Sequence, residues 1–178
     1  MSAAPGPDRV RDARAGNRVA FEELLRPAID PGYRLACALL QNADAAQDAV
    51  QEAAVKAWRK IERLDPNREF KPWFLGIVAN QCRSISRARW SSVIGLGQHA
   101  SSEPAVDDAV IGRHDLRAAL ASRLTHPERV LVVGHYFLDL PLAELAAMTG
   151  KSQAATRSKL YRALHRLRPD LEINEEPA

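Results

Sequence analysis

Apolar residues return every three or four positions through most of this chain, and no stretch shows the sustained alternation that a half-buried strand requires. A sequence with that single period has one economical solution, an all-α fold of packed amphipathic helices. The spacing predicts helices over residues 8–15, 18–28, 31–41, 44–62 and 71–89, then 113–123, 127–137, 141–149 and 152–168. Pro31, Pro72, Pro127 and Pro141 suit first-turn positions, where the missing N–H leaves no hydrogen bond unmade. "LDPNRE" at 64–69 is turn chemistry, and Ser152 is placed to cap the last helix.

The period breaks between Ser91 and Gly112. "SSVIGLGQHASSEPAVDDAVIG" mixes Gly, Ser, Pro and an acidic pair with few large apolar residues, the composition of a flexible connection. The expected organisation is therefore a helical domain over 1–90, a linker over 91–112, a second helical domain over 113–170 and a short acidic tail over 171–178. With 178 residues and 46% hydrophobic content, each domain can build its own core. A net charge of +3 decides little by itself. Its distribution says more, because residues 113–168 hold ten Lys and Arg against four Asp and Glu.

Several function classes lose support at this stage. Cys37 and Cys82 are far apart and lack metal-ligand neighbours, so they read as reduced core residues. His99, His114, His126, His135 and His165 pair with neither Cys nor carboxylates at catalytic or metal spacing, and no phosphate-binding Gly loop or nucleophile motif occurs. The expectation is a non-enzymatic protein without metal or cofactor. "MSAAPGPDRVRDARAG" has no apolar segment of the signal-peptide kind, and no run approaches the roughly 20 apolar residues that cross a bilayer, so a cytoplasmic protein without membrane insertion is expected.

Chemistry concentrates in "MTGKSQAATRSKLYRALHRLR" at 148–168. On the last helix Leu160, Leu164 and Leu167 fall on one side with Thr156 near them, and Lys159, Arg162 and Arg166 share a band on another. Such a band on an arbitrary helix is ordinary solvated surface. Here a short helix carrying Leu142, Leu145, Ala146 and Met148 precedes it, with Gly150 at the change of direction, which is the helix-turn-helix plan. A major groove admits one helix, and the small Ala154, Ala155 and Ser158 let the backbone approach while Lys159 and Arg162 reach phosphates or guanine edges.

In the first domain, "DAAQDAVQEAAVKAWRKI" at 44–61 sets Val50, Ala53, Ala54, Ala57 and Ile61 on one face, with Trp58 at its border. Val55 stands in the middle of the opposite face among Asp48, Glu52 and Arg59, a pattern compatible with a protein contact, although periodicity alone favours an ordinary exposed apolar residue. Along 72–89, Trp73, Phe74, Ile77, Val78 and Ile85 form the expected buried side, while Gly76, Asn80, Arg83 and Arg87 align on another. There an amide could pair with a base edge and guanidinium groups could hold phosphates. Phe70, Trp73, Phe74 and Trp90 could stack on unpaired bases, but a small helical domain needs most of them for its core.

Taken in order, "ARAGNRVAFEELLRPAIDPGYRLACALLQNADAAQDAVQEAAVKAW", "FKPWFLGIVANQCRSISRAR" and "THPERVLVVGHYFLDLPLAELAAMTGKSQAATRSKLYRALHRLR" resemble the extracytoplasmic-function group of bacterial RNA polymerase sigma factors, within the sigma-70 family. The resemblance covers nearly the whole chain. It implies that Asp48, Gln51, Glu52, Val55 and Arg59 belong to a helix docking on the β′ clamp helices of core RNA polymerase, which overturns the bland reading of Val55. It implies that the loop with Arg63, Asn67 and Arg68, together with the helix bearing Asn80, captures a promoter strand at the −10 element with a base flipped out, while Arg83, Arg87 and Arg89 hold its backbone. Ser152, Gln153, Ala154, Arg157, Ser158, Lys159 and Arg162 would read the −35 element as duplex. The linker would thread toward the RNA exit path, and the β flap and an anti-sigma protein are further implied partners.

This sequence departs from the family pattern at Gln47, Ala53, Ala54, Gly76, Ser84, Lys151, Gln153 and Thr156, so a promoter sequence does not carry over from better-known relatives. The implied function is a dissociable initiation factor that directs core polymerase to promoters and helps open them. The rival expectation is a free-standing helix-turn-helix regulator with an N-terminal sensing or dimerisation domain.

Overall fold

The structure is a computed structural model that describes residues 7–96 and 120–171. All regular elements among the described residues are helical: α1 (Pro7–Arg14), α2 (Arg18–Leu40), α3 (Ala43–Lys60), a 3-10 turn (Ile61–Arg63), α4 (Phe70–Leu96), the helical residues 120–123, α5 (His126–Tyr136), α6 (Leu142–Thr149) and α7 (Gln153–Leu171). They fall into two compact units, with α1 to α4 in the first and α5 to α7 in the second.

In the first unit, short polar side chains set where helices begin. Asn17 accepts the Ala20 N–H at 3.2 Å and Asn42 accepts the Ala45 N–H at 2.7 Å, each satisfying a first-turn donor of its helix. Between α2 and α3, Gln41 takes a left-handed conformation (φ 53°) that ends α2. The core joins Phe21, Leu24, Leu35 and Ala36 of α2 to Phe74, Leu75, Val78 and Cys82 of α4. Ala45, Ala46, Ala49, Ala53 and Ala57 of α3 are all buried in it. Gly32 brings α2 close to α4, since a Cβ there would lie 3.1 Å from Phe74 Cε1 and 3.5 Å from Val78 Cγ2.

Two boundaries differ from the expected ones. The break expected between residues 28 and 31 is absent, and α2 runs unbroken with Pro27 and Pro31 inside it. Pro27 and its neighbour one turn back, Glu23, are exposed, so the carbonyls left without a proline N–H have water available. Buried Leu24, Ala28, Gly32 and Leu35 hold one face in the core on both sides of the interruption. Likewise α4 passes its expected end at 89 and reaches Leu96, so residues 91–96, read as linker, continue the helix. Extending an existing helix adds one hydrogen bond per residue fixed, which tolerates serines that would not start one. The remainder of the expected linker, most of the helix expected over 113–123 and the acidic tail beyond Leu171 lie outside the described residues.

α5 is the centre of the second unit. Val130, Leu131, Val132, Val133 and Gly134 are buried on every side of it, whereas α6 and α7 bury one stripe each. Gly134 lets α6 come close, because a Cβ there would stand 2.6 Å from Leu145 Cδ2. α6 ends at Gly150, whose φ of 65° is the left-handed conformation that closes a helix and turns the chain. The Lys151 N–H returns to the Ala146 carbonyl at 3.1 Å, and Ser152 Oγ accepts the Ala155 N–H at 3.2 Å to start α7. The expected Ser152 cap is therefore present.

Two substitutions test this packing. The Thr156 hydroxyl is fully buried with no hydrogen-bond partner. Thr156→Val keeps the shape and removes the unsatisfied group, and should stabilise the second unit by about 1 kcal/mol, a rise of about 4–8 °C in its melting midpoint. Gly134→Ala forces a methyl against Leu145 and should lower stability by about 1–3 kcal/mol. Thermal unfolding followed by circular dichroism reads both, and shifts of opposite sign would contradict the packing described.

Candidate functional site

Three exposed faces carry the residues singled out by the sequence. On α3, Asp48, Gln51, Glu52, Val55 and Arg59 are exposed and lie at three- and four-residue spacings on the side away from the buried alanines. Val55 is 46% exposed although it is β-branched and apolar. Trp58, beside this face, is held by an edge contact to Phe21 at a ring-centroid distance of 5.1 Å. Lys56 Nζ donates to Gln81 Oε1, tying α3 to α4.

On α4, Asn80, Arg83 and Arg87 are exposed along one face with half-buried Gly76 in line. Ser84 Oγ donates back to the Asn80 backbone carbonyl at 3.2 Å, which occupies the hydroxyl. Arg89 is in the helix, and its side chain lies outside the described residues. Arg63, Asn67 and Arg68 are exposed on the turn before α4. Asp65 organises that turn, accepting the Asn67 N–H on its carboxylate and the Arg68 N–H on its carbonyl, both at 2.9 Å. Arg14 Nε anchors the turn from behind by donating to the Glu62 carbonyl at 3.1 Å.

The core favoured for the aromatics is where two of them lie. Phe70 and Phe74 are buried and stacked, with centroids 5.9 Å apart and planes 9° apart, so neither is free for a base. Trp73 is half-buried, 5.7 Å from Phe70. The buried side of α4 differs from the expected stripe: Ile77 and Ile85 are half-buried, while Leu75 and Cys82 are fully buried. α4 packs against both α2 and α3, so its inner face is wider than a one-neighbour stripe. Burial, with a smaller contribution from nearby Cys37, pushes the Cys82 thiol up to about 12 against the opposing effect of its own backbone hydrogen bond, so this cysteine is a protonated core residue.

α7 corrects the basic band. Thr156, Leu160, Ala163 and Leu167 are buried, while Leu164 is half-buried. Ala163 therefore takes the place given to Leu164. Directly opposite stand Ala154, Ser158, Tyr161 and His165, all exposed at spacings of four, three and four. Lys159 and Arg166 lie at the edge of the packed side instead. Arg166 Nη1 sits 3.0 and 2.9 Å from the two Glu128 carboxylate oxygens, so Lys159, Arg162 and Arg166 are not one free stripe. Of the residues named for this helix, Gln153, Ala154, Arg157, Ser158 and Arg162 are exposed, as is Ser152, with Lys159 half-buried. Tyr161, 66% exposed in the middle of the outward face, was missed because an aromatic on an amphipathic helix reads as core. Its spacing from Ala154 and Ser158 was the available signal.

Among the described residues no cluster of His, Cys, Asp and Glu could hold a metal ion, and no helix is long and apolar enough to cross a membrane.

Residues 23–92, from within α2 to near the end of α4, match the family model for sigma-70 region 2. The chain is 25% identical over 168 residues to a protein of Xanthomonas campestris pv. campestris named a probable RNA polymerase sigma factor, RfaY, covering 89% of this chain and 42% of that one. It is 28% identical over 170 residues to the ECF RNA polymerase sigma factor SigL of Mycobacterium tuberculosis, covering 92% and 96% of the two chains. Over nearly its whole length the chain is thus similar to RNA polymerase sigma factors of the extracytoplasmic-function group. Its fold is that of the sigma factor RpoE in a co-crystal structure with the anti-sigma factor NepR from Bartonella quintana, with a TM-score of 0.67 at 22% identity over 87% of this chain and 98% of that one. The sigma-70 region 2 match contains the outward faces of both α3 and α4.

The buried carboxylate behind α7 gives this protein an acid-sensitive point. Burial pushes the Glu128 carboxyl up, but the hydroxyl and N–H of Thr125 and the charges of Arg166 and Lys159 together hold it below the usual carboxylate range. A depressed folded-state pKa contributes stability above the unfolded value near 4.3 and loses it as pH falls through the folded value. The second unit should therefore unfold more readily as pH drops below about 4, and Glu128→Gln should weaken that dependence, read by thermal melts at pH 3 to 7.

Proposed function

We propose that this chain, a non-enzymatic RNA polymerase initiation factor of the extracytoplasmic-function group, divides promoter recognition between its two units. The unit placed within 1–90 binds core polymerase through Asp48, Gln51, Glu52, Val55 and Arg59 on the β′ clamp helices. It holds the −10 strand through Arg63, Asn67, Arg68, Asn80, Arg83, Arg87 and Arg89. The unit within 113–170 reads the −35 duplex with Ser152, Gln153, Ala154, Arg157, Ser158, Tyr161 and Arg162, with Lys159 at the margin and the β flap as its polymerase contact. Residues 91–112 connect the two along the RNA exit path. The protein works in the cytoplasm, needs no cofactor, and is restrained by an anti-sigma protein of the kind seen bound to RpoE.

One observation carries this reading. Within the region matching sigma-70 region 2, two neighbouring helices turn chemically different faces outward, one centred on exposed Val55 within a polar rim and the other bearing an amide and two guanidinium groups. Apolar centres with polar rims suit proteins, whereas amides with arginines suit nucleic acid. A free-standing regulator could dimerise through the first face, so the similarity of the chain to RNA polymerase sigma factors over nearly its whole length is what disfavours that alternative.

Separate variants should split the two activities. Val55→Glu places a charge at the centre of the protein contact and should weaken binding to core polymerase by at least about tenfold. Arg83→Ala with Arg87→Ala should leave core binding intact, reduce promoter opening and shallow its salt dependence by about 0.7 per lost strand contact. Affinity measurements against core enzyme and permanganate footprinting of the opened promoter check the two. If both variants lost core binding equally, the division of faces would be wrong.

A further inference from the structure

Among the described residues Glu128 is the one charged side chain in the core. Its Oε2 accepts the Thr125 N–H at 3.0 Å and the Thr125 hydroxyl at 2.7 Å, closing the N-terminus of α5. The same carboxylate receives Arg166 Nη1 at 3.0 Å on Oε1 and 2.9 Å on Oε2, from 38 residues farther along the chain. The Glu128 side chain is 8% exposed and that of Arg166 51% exposed, so the ion pair roots in the core and surfaces on the flank of α7. Lys159, one and a half to two turns back on the same flank, adds its field to the same carboxylate.

Apolar contacts are non-directional, so Leu160, Ala163 and Leu167 hold α7 against its neighbours without fixing its rotation closely. A charge-assisted hydrogen bond is short and directional, and this one ties the flank of α7 to the capped end of the central helix. Rotation matters on the opposite side. With side chains reaching roughly 5–6 Å from the helix axis, a turn of about 20° displaces them by about 2 Å. That is enough to break the geometry of a base contact made by Ser158, Tyr161 or Arg162.

We propose that Glu128 is a positioning residue for promoter reading: through Arg166 it sets the rotation of α7 and thereby the discrimination of the −35 sequence. This rests on the assignment of α7 to that element under the proposed function. Arg166, and in part Lys159, then serve the protein's own frame before they serve DNA.

The test uses the full chain bound to core polymerase and two duplexes, one carrying a −35 sequence selected from random DNA by the wild-type holoenzyme and one with that sequence scrambled. Glu128→Gln should lower the ratio of selected to scrambled affinity by at least about tenfold, the size of one lost base contact, with scrambled binding and core binding unchanged. Arg166→Met should lower the same ratio without changing the salt slope, and Arg166→Lys, which keeps the charge, should recover part of it. A ratio within twofold of wild type in the first two variants overturns the proposal, as does a parallel fall on both duplexes, which would mark a merely structural role. A salt slope reduced by about one in Arg166→Met would make Arg166 a phosphate ligand and also overturn it. Arg157→Ala with Arg162→Ala, run alongside, separates the readings. If that variant binds both duplexes normally, α7 is not the DNA-reading helix at all; if it loses the selected duplex while Glu128→Gln does not, only the positioning role fails.

Discussion

Five alanines on one face of α3 set the geometry of the first unit. Ala45, Ala46, Ala49, Ala53 and Ala57 are buried, and their small side chains let α3 seat closely against α2 and α4. The directional Lys56–Gln81 hydrogen bond adds to that close seat and ties α3 to α4. Val55, on the other side, cannot turn inward to escape water, and Asp48, Gln51, Glu52 and Arg59 are held beside it at fixed spacing. The same contact aims α4, because Lys56 and Gln81 bridge the two helices and the wide inner face of α4 leaves Asn80, Arg83 and Arg87 outward. Two chemically different outward faces on neighbouring helices thus follow from where the smallest side chains sit.

The second unit solves a different problem, presenting one helix with no bulk of its own to brace it. Its device is a central helix buried on every side, against which α6 and α7 each lay a single stripe. Gly134 allows α6 to approach, Gly150 turns the chain and Ser152 starts α7. Glu128 adds the polar anchor. A buried carboxylate is a costly way to hold two helices together unless orientation is what matters, since an apolar pair of similar shape often stabilises as well or better.

Much of this was legible in the residues. Helical periodicity gave the fold class and most elements, Ser152 announced its cap, and the spacing of Asp48, Glu52, Val55 and Arg59 placed them together on an outward face. What was not legible had tertiary causes. Pro31 reads as the first turn of a new helix, which implies a break before it, yet burial on one face carries α2 through. The core side of α4 is wider than its sequence pattern implies because two neighbours, α2 and α3, cover it. On α7, charge suggested a band of Lys159, Arg162 and Arg166, but a partner 38 residues away claims Arg166, and no pattern within the helix reveals it. Tyr161 was hidden by the same habit of reading aromatics as core.

Two small units on one chain explain why such a factor acts with polymerase and not alone. Joining two weak contacts raises the effective concentration of the second once the first is made. Similarity to RNA polymerase sigma factors points to the machinery on which both would be mounted, and the outward faces of α3, α4 and α7 supply the chemistry. The most direct measurement is run-off transcription from genomic templates with purified core RNA polymerase and this chain. The account predicts transcripts with discrete start sites that core enzyme alone does not make, at promoters sharing two separated elements. Stable association with core enzyme but no promoter-specific transcript from any template would contradict it.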